Sequence, residues 1–593
     1  MSILVQKFGG TSVADSRKIL AAARRAIRAF KEGRQVVVVV SAMGEQTDRL
    51  IELAEEISEF PPAREMDMLL STGEQVTVAL MAMAIHALGH EAISLTGAQI
   101  GIVTDSTYTK ARIRSVSTAR IRQALAEGNI VIAAGFQGID EAGNITTLGR
   151  GGSDTTAVAL AAVLGAEMCE IYTDVDGVYT TDPRIVPDAR PLRQISYDEM
   201  LELATAGAGV MHNRSIEFAK KFHVPIHVRS SFSDAPGTLI SHWPESAEAP
   251  VCGAAVIKDE ARLAVLGLPD DPMSASKVLA QVAAKNISLD MIVRNETGDG
   301  RCDLSFTIFR DDLREALQAV RQTVEELSAE GCTYDENVSK VSVVGLGMAT
   351  RPGVALRMFQ ALAEKKIDVH MISTSEIKIS AVVPKKSAQE ALRTVHEAFA
   401  LNVAPAGDGQ VQPDDFRKPL SNSNVDLLLK RMERMEDLLI ESVDLDRSQA
   451  QITFHELPDE PGLTVKVFEE LAAADVVVDM IVQSVGRENR LDIAVTVPRD
   501  ALPRALAAAR KLTDTLAAPP PRYRAEAAKI SLSGVGMKSH AGVAARMFQA
   551  LAQAGIKAEL VSTSEVQLSV VVDDQRGLEA LEVLKREFAD AMC

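Results

Sequence analysis

The stretch that decides the fold is Ile3-Leu4-Val5-Gln6-Lys7-Phe8-Gly9-Gly10-Thr11-Ser12-Val13. An apolar run ends in a lysine, two glycines and two hydroxyl residues follow, and apolar residues then recur at helical spacing from about Ser16 to Lys31. This order predicts a strand, a glycine loop and a helix. Such a loop directs free amide N–H groups at one point, where a phosphate can bind beside Lys7. A plain glycine turn without a ligand is the alternative, and the Walker sequence GxxxxGK[ST] is absent.

Length and composition describe a globular protein of several domains. The 593 residues exceed one core, so we expect three or more domains, and 47% hydrophobic with 24% charged residues is ordinary for a globular chain. The net charge of −18 argues against a nucleic-acid partner, because no basic block can neutralise phosphates. The five cysteines lack paired or metal-ligand spacing, and we find no signal sequence or stretch long enough to span a membrane. We therefore expect a cytoplasmic protein with no membrane partner and no metal site of its own.

Up to about residue 245, short β-branched runs alternate with alanine-rich helical stretches. This alternation predicts an α/β domain with a mostly parallel sheet covered by helices. Ligands of such sheets bind at the carboxyl ends of the strands. The predicted ends are polar, since the first strand ends at Lys7 and the glycines, and the second ends at Ser41 with Thr47 just beyond.

Two further loops carry residues suited to binding. Residues 146–156, TTLGRGGSDTT, combine an arginine, glycines and a Ser-Asp helix cap. Arg150 can bind a carboxylate through two hydrogen bonds, and Asp154 can orient a lysine or a metal, although a helix cap with a solvated arginine is the alternative. Residues 172–184, YTDVDGVYTTDPR, predict a rigid loop that on its own is merely a hairpin. Glu74, in STGEQ, also suits a plain helix N-terminus.

Taken together, these motifs resemble those of the amino-acid kinase family, and within it the aspartate kinases. The matching motifs occur in the same order across the first 245 residues: KFGGTSV (7–13), VVSAMG (39–44), STGEQ (71–75), GFQG (135–138), TTLGRGGSDTTA (146–157), YTDVDGVYTTDPR (172–184), MLELA (200–204) and VRSSFSDAPGT (228–238). The resemblance implies ATP- and Mg²⁺-dependent phosphorylation of the β-carboxylate of L-aspartate to 4-phospho-L-aspartate. That reaction would be the first step of lysine, threonine and methionine biosynthesis.

The resemblance also implies roles for residues at matching positions. Lys7 and Asp154 would be catalytic. ATP would contact Lys7, Phe8, Gly9, Gly10, Ser41, Thr173, Asp174, Tyr179 and Arg184. Aspartate would contact Thr47, Glu74, Arg150, Gly151, Gly152 and Ser153, with Glu74 on its ammonium group and Arg150 on its α-carboxylate. A general base is not required, because a carboxylate is already a nucleophile at neutral pH.

One departure from the family pattern follows MLELA. Some members carry a second nucleotide-side lysine in that segment, and the aligned position here is Gly209. Arg184 or Mg²⁺ would then supply the missing charge.

Beyond residue 250 the sequence repeats itself. The segment LDMIV at 289–293 matches VDMIV at 478–482, and STSE at 373–376 matches STSE at 562–565, each 189 residues further on. A constant offset indicates a tandem duplication without insertions. We predict two units per copy, at 260–337 and 338–402, then at 449–525 and 527–593. The Pro- and Gly-rich residues 403–440 between the copies predict a linker, with a short helix over 425–437 that packs on a partner not readable from the sequence.

The repeated units resemble ACT domains, which are βαββαβ (ferredoxin-like) modules that bind amino acids where two of them pair. The resemblance implies four such domains, regulation by lysine and/or threonine, and a homodimer formed through them; a role in dimerisation alone is the alternative. We expect an effector pocket at Asp459, Gly462, Asp479 and Gln483, with Asp290 as the counterpart of Asp479. The place marked by Asp270 and Arg294 would be altered or idle, because Met273 replaces the glycine.

Three functions remain compatible with these patterns. The first is a regulated aspartate kinase. The second is a kinase of the same fold acting on glutamate or a nucleotide, against which the pair of Glu74 and Arg150 and the whole motif set argue. The third is an amino-acid sensor with an inactive kinase domain, against which the intact set of Lys7, Gly10, Arg150, Asp154 and Arg184 argues.

Overall fold

The structure is a computed structural model that describes residues 1–208, 210–246, 248–297, 300–348, 351, 353–405, 435–458, 460, 462–485, 490–540 and 542–592. It divides into an N-terminal α/β domain and a C-terminal half built on one long sheet.

The N-terminal domain contains these strands: β1 (Ile3–Phe8), β2 (Gln35–Val40), β3 (Ala92–Leu95), β4 (Ile102–Thr104), β5 (Ile113–Val116), β6 (Ile130–Ala134), β7 (Gln137–Ile139), β8 (Ile145–Thr147), β9 (Met168–Thr173), β10 (Gln194–Ser196), β11 (Ile226–Ser230) and β12 (Thr238–Ser241). Its helices are α1 (Ser16–Lys31), α2 (Gln46–Ile57), α3 (Ala63–Leu70), α4 (Thr72–Ala87), α5 (Gly97–Ile100), α6 (Ala119–Ala126), α7 (Gly152–Leu164), α8 (Tyr197–Leu203) and α9 (Asn213–Phe222).

The main sheet of this domain has eight strands in the order β10-β12-β11-β9-β1-β2-β6-β3. Every neighbouring pair is parallel except β11 with β12. In this register Phe8 pairs with both Val40 and Tyr172, so β1, β2 and β9 end at the same edge. The predicted mostly parallel sheet is therefore confirmed, and the polar strand ends meet at one edge. A second sheet, β5-β4-β7-β8, packs beside it.

Helices cover both faces of the main sheet because its central strands are buried on both sides. Val36 to Val40 are all fully buried, and two separate apolar clusters form above and below them. Helix α1 begins where Asp15 accepts a hydrogen bond from the backbone N–H of Lys18, at 2.9 Å. The predicted order of strand, glycine loop and helix is thus confirmed.

One helical stretch, residues 63–87, is long and apolar enough to cross a membrane by length and composition alone. It comprises α3 and α4, and half of its most apolar window is buried inside the domain. A core helix of a globular protein passes the same test, so the expected cytoplasmic location stays a prediction.

The C-terminal half contains these strands: β13 (Gly253–Pro269), β14 (Asp290–Glu296), β15 (Arg301–Phe309), β16 (Gly331–Val344), β17 (Met371–Thr374), β18 (Lys378–Pro384), β19 (Leu439–Pro458), β20 (Ile481–Val485), β21 (Arg490–Pro498), β22 (Arg522–Val535), β23 (Leu560–Thr563) and β24 (Gln567–Asp573). Its helices are α10 (Pro272–Ala283), α11 (Leu313–Glu326), α12 (Val354–Glu364), α13 (Ala388–Ala398), α14 (Leu463–Ala473), α15 (Leu502–Leu516), α16 (Val543–Gln553) and α17 (Gly577–Glu587).

All twelve strands form one sheet in the order β14-β15-β13-β16-β18-β17-β20-β21-β19-β22-β24-β23. The helices divide the sheet into four units, each with one helix pair: unit 1 (α10, α11), unit 2 (α12, α13), unit 3 (α14, α15) and unit 4 (α16, α17).

The two units of each copy share long strands. Residues 260–269 of β13 pair with β15 of unit 1, whereas residues 253–257 pair with the end of β16, which belongs to unit 2. In the second copy, β19 is shared in the same way between units 3 and 4. Residues 253–257 therefore form the outer strand of unit 2, although they precede unit 1 in the chain. The predicted boundaries do not include this strand. Those boundaries stay predictions, and residues 406–434 of the proposed linker lie outside the described residues.

The units of different copies pair within the same chain. Strand β17 of unit 2 is antiparallel to β20 of unit 3, with Ile372 opposite Gln483. Unit 1 and unit 4 meet where Thr563 donates a hydrogen bond to Asp290 at 3.1 Å. Met291, Met371, Met480 and Leu560, one from each unit, belong to one buried apolar cluster. The four units thus surround a shared core.

Candidate active site

The glycine loop packs tightly against the end of β2. The N–H of Gly44 donates to the carbonyl of Gly10 at 3.0 Å, and the N–H of Ser41 donates to the carbonyl of Phe8 at 3.2 Å. A Cβ atom at position 10 would lie 2.9 Å from the carbonyl oxygen of Ala42, so only glycine fits there. The loop is therefore held at a fixed distance from Ser41.

Lys7 and Asp154 form the charged centre of this edge. Lys7 is the penultimate residue of β1, Asp154 lies in the first turn of α7, and Nζ of the lysine is 2.5 Å from Oδ1 of the aspartate. Both side chains are 11% exposed. The carboxylate fixes the ammonium at the strand ends, because a buried charge is costly without a partner.

Glu74 brings a second carboxylate to the same edge. It lies in the first turn of α4, and its Oε1 accepts a hydrogen bond from the N–H of Ala42 at 3.0 Å. Within the described part of the chain, its Oε2 is buried without a hydrogen-bond partner. Burial raises the pKa of Glu74 to about 7, and the bond from Ala42 opposes that rise. A cation placed at Oε2 would satisfy this carboxylate.

Arg150 lies in a glycine-rich loop ahead of α7, which we call the substrate loop (residues 148–151). Gly149 and Gly151 have φ values of 76° and 69°, and Arg150 between them is exposed. A Cβ atom at Gly151 would lie 2.2 Å from Cβ of His212, so this side chain braces the loop. Gly152 and Ser153 follow in the buried start of α7.

The predicted nucleotide residues lie at the end of β9 and in the nucleotide loop (residues 174–190) that follows. Thr173 ends β9 and donates to Asp174 at 3.1 Å. Tyr179 is half-buried, and burial raises its pKa. Arg184 is 89% exposed and binds Asp182 through two nitrogens, at 2.9 and 2.8 Å. Its charge is thus balanced by Asp182, and Gly209, where the family lysine would stand, lies outside the described residues.

The structure pairs Lys7 with Asp154, bonds the backbone of Ser41 to Phe8 ahead of the glycine loop, and bonds Glu74 to the neighbouring Ala42. It leaves the side chains of Arg150 and Arg184 exposed, and Thr47 is half-buried in α2. A role for each of these residues stays a prediction.

A buried polar network beneath the glycine loop was missed by sequence reasoning. Glu170 accepts hydrogen bonds from Gln6 at 2.8 Å, from the Tyr172 hydroxyl at 3.0 Å and from Arg229 at 3.1 Å. Phe8 stacks on the ring of Tyr172 with centroids 4.7 Å apart, and burial raises the pKa of that tyrosine to about 12. The sequence does contain a signal for this network, because Gln6 and Glu170 are polar residues inside otherwise apolar strands. The network ties β1, β9 and β11 together under the site.

The predicted effector residues of unit 3 lie near its boundary with unit 2. Gln483 is fully buried, accepts a bond from Thr464 at 2.8 Å and donates to the carbonyl of Val369 in unit 2 at 3.1 Å. Asp479 binds Lys529 at 2.7 Å. Gly462 precedes α14 with a φ of 86°, and Asp459 lies outside the described residues.

The counterparts in unit 1 are engaged by charges of the protein itself. Asp290 forms ion pairs with Lys340 and with Lys538, the latter at 3.1 Å. Arg294 pairs with Asp270, which also binds Lys557 at 2.6 Å. Met273 lies in the first turn of α10 and is 38% exposed, so its side chain does not fill an enclosed space.

Comparison with known proteins places this fold and site in a family. The Amino acid kinase family matches residues 2–230, and an ACT domain family matches residues 341–399 and 530–588. Aspartate kinase Ask_LysC of Stutzerimonas stutzeri is 51% identical over 411 residues, which are 69% of this chain and 99% of that protein. The aspartokinase of Bacillus sp. (strain MGA3) is 51% identical over 68% of this chain and 98% of that protein.

Two solved structures extend the comparison. Aspartate kinase from Synechocystis is 39% identical over 99% of this chain and 98% of that chain, with a TM-score of 0.52. E. coli aspartokinase III in complex with aspartate and ADP (R-state) is 26% identical over 67% of this chain and 99% of that chain, with a TM-score of 0.58. Fold and site together define an amino-acid kinase joined to ACT domains. The chain belongs to the aspartate kinase family, and it is an enzyme of the kinase class, as the motifs predicted.

Proposed function

We propose that this chain transfers the γ-phosphoryl group of ATP to the β-carboxylate of L-aspartate, giving 4-phospho-L-aspartate and ADP. The observation that carries the proposal is the buried pair of Lys7 and Asp154, 2.5 Å apart, beside the unsatisfied carboxylate of Glu74. A carboxylate oxygen of aspartate forms the new bond to phosphorus, and the bond from phosphorus to the β,γ-bridging oxygen breaks, so ADP carries away the electron pair. The E. coli relative bound to aspartate and ADP supports the same pair of ligands.

Aspartate binds between Glu74 and the substrate loop. The free Oε2 of Glu74 accepts the ammonium group, and Arg150 has an exposed guanidinium that can take the α-carboxylate with two bonds. Ser153, Gly151 and Gly152, together with Thr47 of α2, would complete the contacts to aspartate. Nucleophilic attack needs positioning rather than a base, because the β-carboxylate is ionised at neutral pH.

ATP binds with its phosphates at the glycine loop. The amides of Gly9 and Gly10 and the ammonium of Lys7 neutralise the phosphoryl oxygens, with Phe8 and Ser41 alongside. Thr173, Asp174, Tyr179 and Arg184 border the rest of the nucleotide. To bind the nucleotide, Arg184 must release Asp182. The cost is small, because the arginine side chain is 89% exposed and an exposed ion pair contributes little.

Mg²⁺ would bind together with the nucleotide. The described residues contain no group of three or more His, Cys, Asp or Glu side chains arranged to hold a metal, and Asp154 is engaged by Lys7. The phosphates and water would therefore provide most ligands of the ion, as Mg²⁺ commonly prefers. Bound there, the ion would supply charge neutralisation to the transferring phosphoryl group.

Lys7→Ala tests the phosphoryl transfer. An ammonium about 4 Å from a phosphoryl oxygen, at an effective dielectric near 20, is worth roughly 4 kcal/mol, or a rate factor on the order of 10³. We expect the variant to fold, with lower stability because Asp154 loses its buried partner, and to lose about this factor in aspartyl hydroxamate formation with ATP and Mg²⁺. Lys31→Ala, an exposed lysine at the end of α1, is the control. A Lys7→Ala enzyme that keeps more than a tenth of the rate would remove this residue from the mechanism.

The same assay separates the alternatives. Activity with glutamate in place of aspartate would identify a different substrate, and a wild-type chain inactive with every amino acid would identify a sensor. We infer further that all four units are ACT domains and that lysine or threonine acts through them.

Two equivalent cavities support this regulatory role. One lies between units 2 and 3 and is lined by Met348, Thr374 and Asp479; the other lies between units 1 and 4 and is lined by Met537, Thr563 and Leu289. Met537 and Thr563 occur 189 residues after Met348 and Thr374. E. coli aspartokinase III has been solved in complex with lysine and aspartate (T-state), which favours lysine as one effector.

A further inference from the structure

The C-terminal half reaches the two loops of the proposed active site at two separate places: it contacts the nucleotide loop directly, and it reaches the substrate loop through Arg214 of α9. We infer that each contact positions one substrate: Glu436 and Arg214 position the substrate loop for aspartate, whereas Arg393 and His396 position the nucleotide loop for ATP. The inference rests on the proposed function, because that function assigns aspartate to residues 148–151 and the nucleotide to residues 174–190.

The first contact begins at Arg214, in the first turn of α9. Its NH1 donates to the carbonyl of Leu148 at 2.5 Å, and its NH2 donates to the carbonyl of Ala111 at 2.9 Å. Leu148 directly precedes Gly149 and Arg150. The guanidinium therefore fixes the backbone from which the aspartate-binding side chain extends.

Glu436 holds this arginine in place. Its Oε2 accepts from Nε and NH2 of Arg214 at 3.1 and 2.5 Å, and its Oε1 accepts from the N–H of Ile113 at 3.1 Å. The side chain of Glu436 is 7% exposed, and that of Arg214 is 16% exposed. A two-nitrogen contact of this kind between buried charges orients the guanidinium strongly. Residues 435–437 belong to the end of the segment between the two copies, so that segment reaches the N-terminal domain.

Unit 4 contacts the same place through Arg112. This arginine bonds to Nε2 of His540 at 2.5 Å, to the carbonyl of Ser539 at 2.9 Å and to the carbonyl of Glu436 at 3.3 Å. His540 also lines the cavity between units 1 and 4. A ligand in that cavity would contact His540, whose partner Arg112 donates to the carbonyl of Glu436.

The second contact lies on α13 of unit 2. His396 bonds to the Thr180 hydroxyl at 3.0 Å, and Nε of Arg393 donates to the carbonyl of Ile185 at 3.0 Å. Ile185 is buried in the apolar cluster of units 2 and 3. The carbonyl of Thr180 also accepts from the N–H of Ala254 at 2.8 Å. The nucleotide loop is thus packed on unit 2.

The two contacts share no residue among those described above. One further residue of the N-terminal domain, Glu202 of α8, bonds to both copies of the C-terminal half. It binds Lys378 of unit 2 at 2.8 Å and accepts a hydrogen bond from the N–H of Glu565 in unit 4 at 2.8 Å. Separate contacts predict separate kinetic effects, because each loop touches a different substrate. A structural defect alone would lower activity without separating KM for aspartate from KM for ATP.

The test is steady-state kinetics of the full-length enzyme with each substrate varied in turn. We expect Glu436→Gln to raise KM for aspartate about tenfold and to change KM for ATP less than twofold, since one charged hydrogen-bond pair is lost. We expect Arg393→Met to raise KM for ATP about fivefold and to leave KM for aspartate within twofold, and Arg393→Lys, which keeps a donor, to change it less.

Glu441→Gln is the matched control. Glu441 pairs with Lys220 across the same junction at 3.4 Å, but neither residue bonds to either loop in the described contacts. This variant should leave both KM values unchanged. Equal increases of both KM values in Glu436→Gln, or a change in kcat alone, would overturn the inference.

Should Glu436→Gln unfold, Arg112→Lys takes its place, with an expected rise of about threefold in KM for aspartate only. Failure of the proposed function is visible separately, because the wild-type enzyme would then form no aspartyl hydroxamate. If only the inference fails, the wild type stays active, but the Glu436 and Arg393 variants no longer differ in which of the two KM values rises.

Discussion

At the scale of single residues, Glu74 shows how burial prepares a binding group. Its carboxyl group has one hydrogen bond and one unsatisfied oxygen, and its pKa is raised to about 7. The ionised form is needed to bind an ammonium group, whereas burial favours the neutral form. Binding of aspartate would therefore lower this pKa.

This environment predicts a pH dependence. In the free enzyme kcat/KM for aspartate should rise with pH through an inflection near the Glu74 pKa of about 7, because only the carboxylate attracts the ammonium. The same raised pKa means that the unliganded fold loses stability as pH rises from about 4.5 through about 7.

A pH profile of kcat/KM between pH 5.5 and 8.5 measures the effect. Glu74→Gln should lower kcat/KM for aspartate about 10- to 100-fold and flatten the profile, since the amide cannot ionise. A glutamine variant that kept the wild-type inflection would assign it to another group.

At the scale of elements, the duplication provides a comparison inside one chain. Lys340 on β16 binds Asp290 and also Glu260 at 2.9 Å, and it is 2% exposed. Its counterpart Lys529 on β22 binds Asp479 at 2.7 Å, but the position of Glu260 is Gln449 in the second copy. Although burial opposes it, the neighbouring ammonium groups of Lys340 and Lys538 hold the pKa of Asp290 well below its usual range.

Substitution of the two lysines should therefore have unequal costs. Lys340→Met leaves two buried carboxylates short of a partner and should destabilise the protein by about 3–5 kcal/mol. Lys529→Met, whose partner Asp479 is 26% exposed, should cost about 1 kcal/mol. Thermal and urea unfolding of both variants would measure the difference, and equal costs would contradict the argument.

At the scale of the whole molecule, the four units form pairs within one chain. Because β17 already pairs with β20, the edges of these two strands are not open for pairing with a second chain. The predicted homodimer through these domains stays a prediction, and it would need a different surface.

Intramolecular pairing predicts that regulation does not depend on enzyme concentration. The partner units are covalently linked, so their effective concentration is fixed by the chain. Inhibition by lysine or threonine should therefore be the same from nanomolar to micromolar enzyme, with light scattering reporting the oligomeric state at each point. Loss of inhibition on dilution would show that the effector sites form between chains.

The sequence by itself determined the local features of this protein. The glycine loop and the polar strand ends are patterns of neighbouring residues, and the offset of 189 residues is the spacing at which such patterns repeat. These patterns predicted the sheet, the duplicated half and the family. Only the tertiary structure decided which distant residues meet. The pairing of Lys7 with Asp154, the strands shared between units and the contact of Glu436 with Arg214 join positions far apart in the chain. Such contacts depend on packing and charge burial across the whole fold, and no local pattern encodes them.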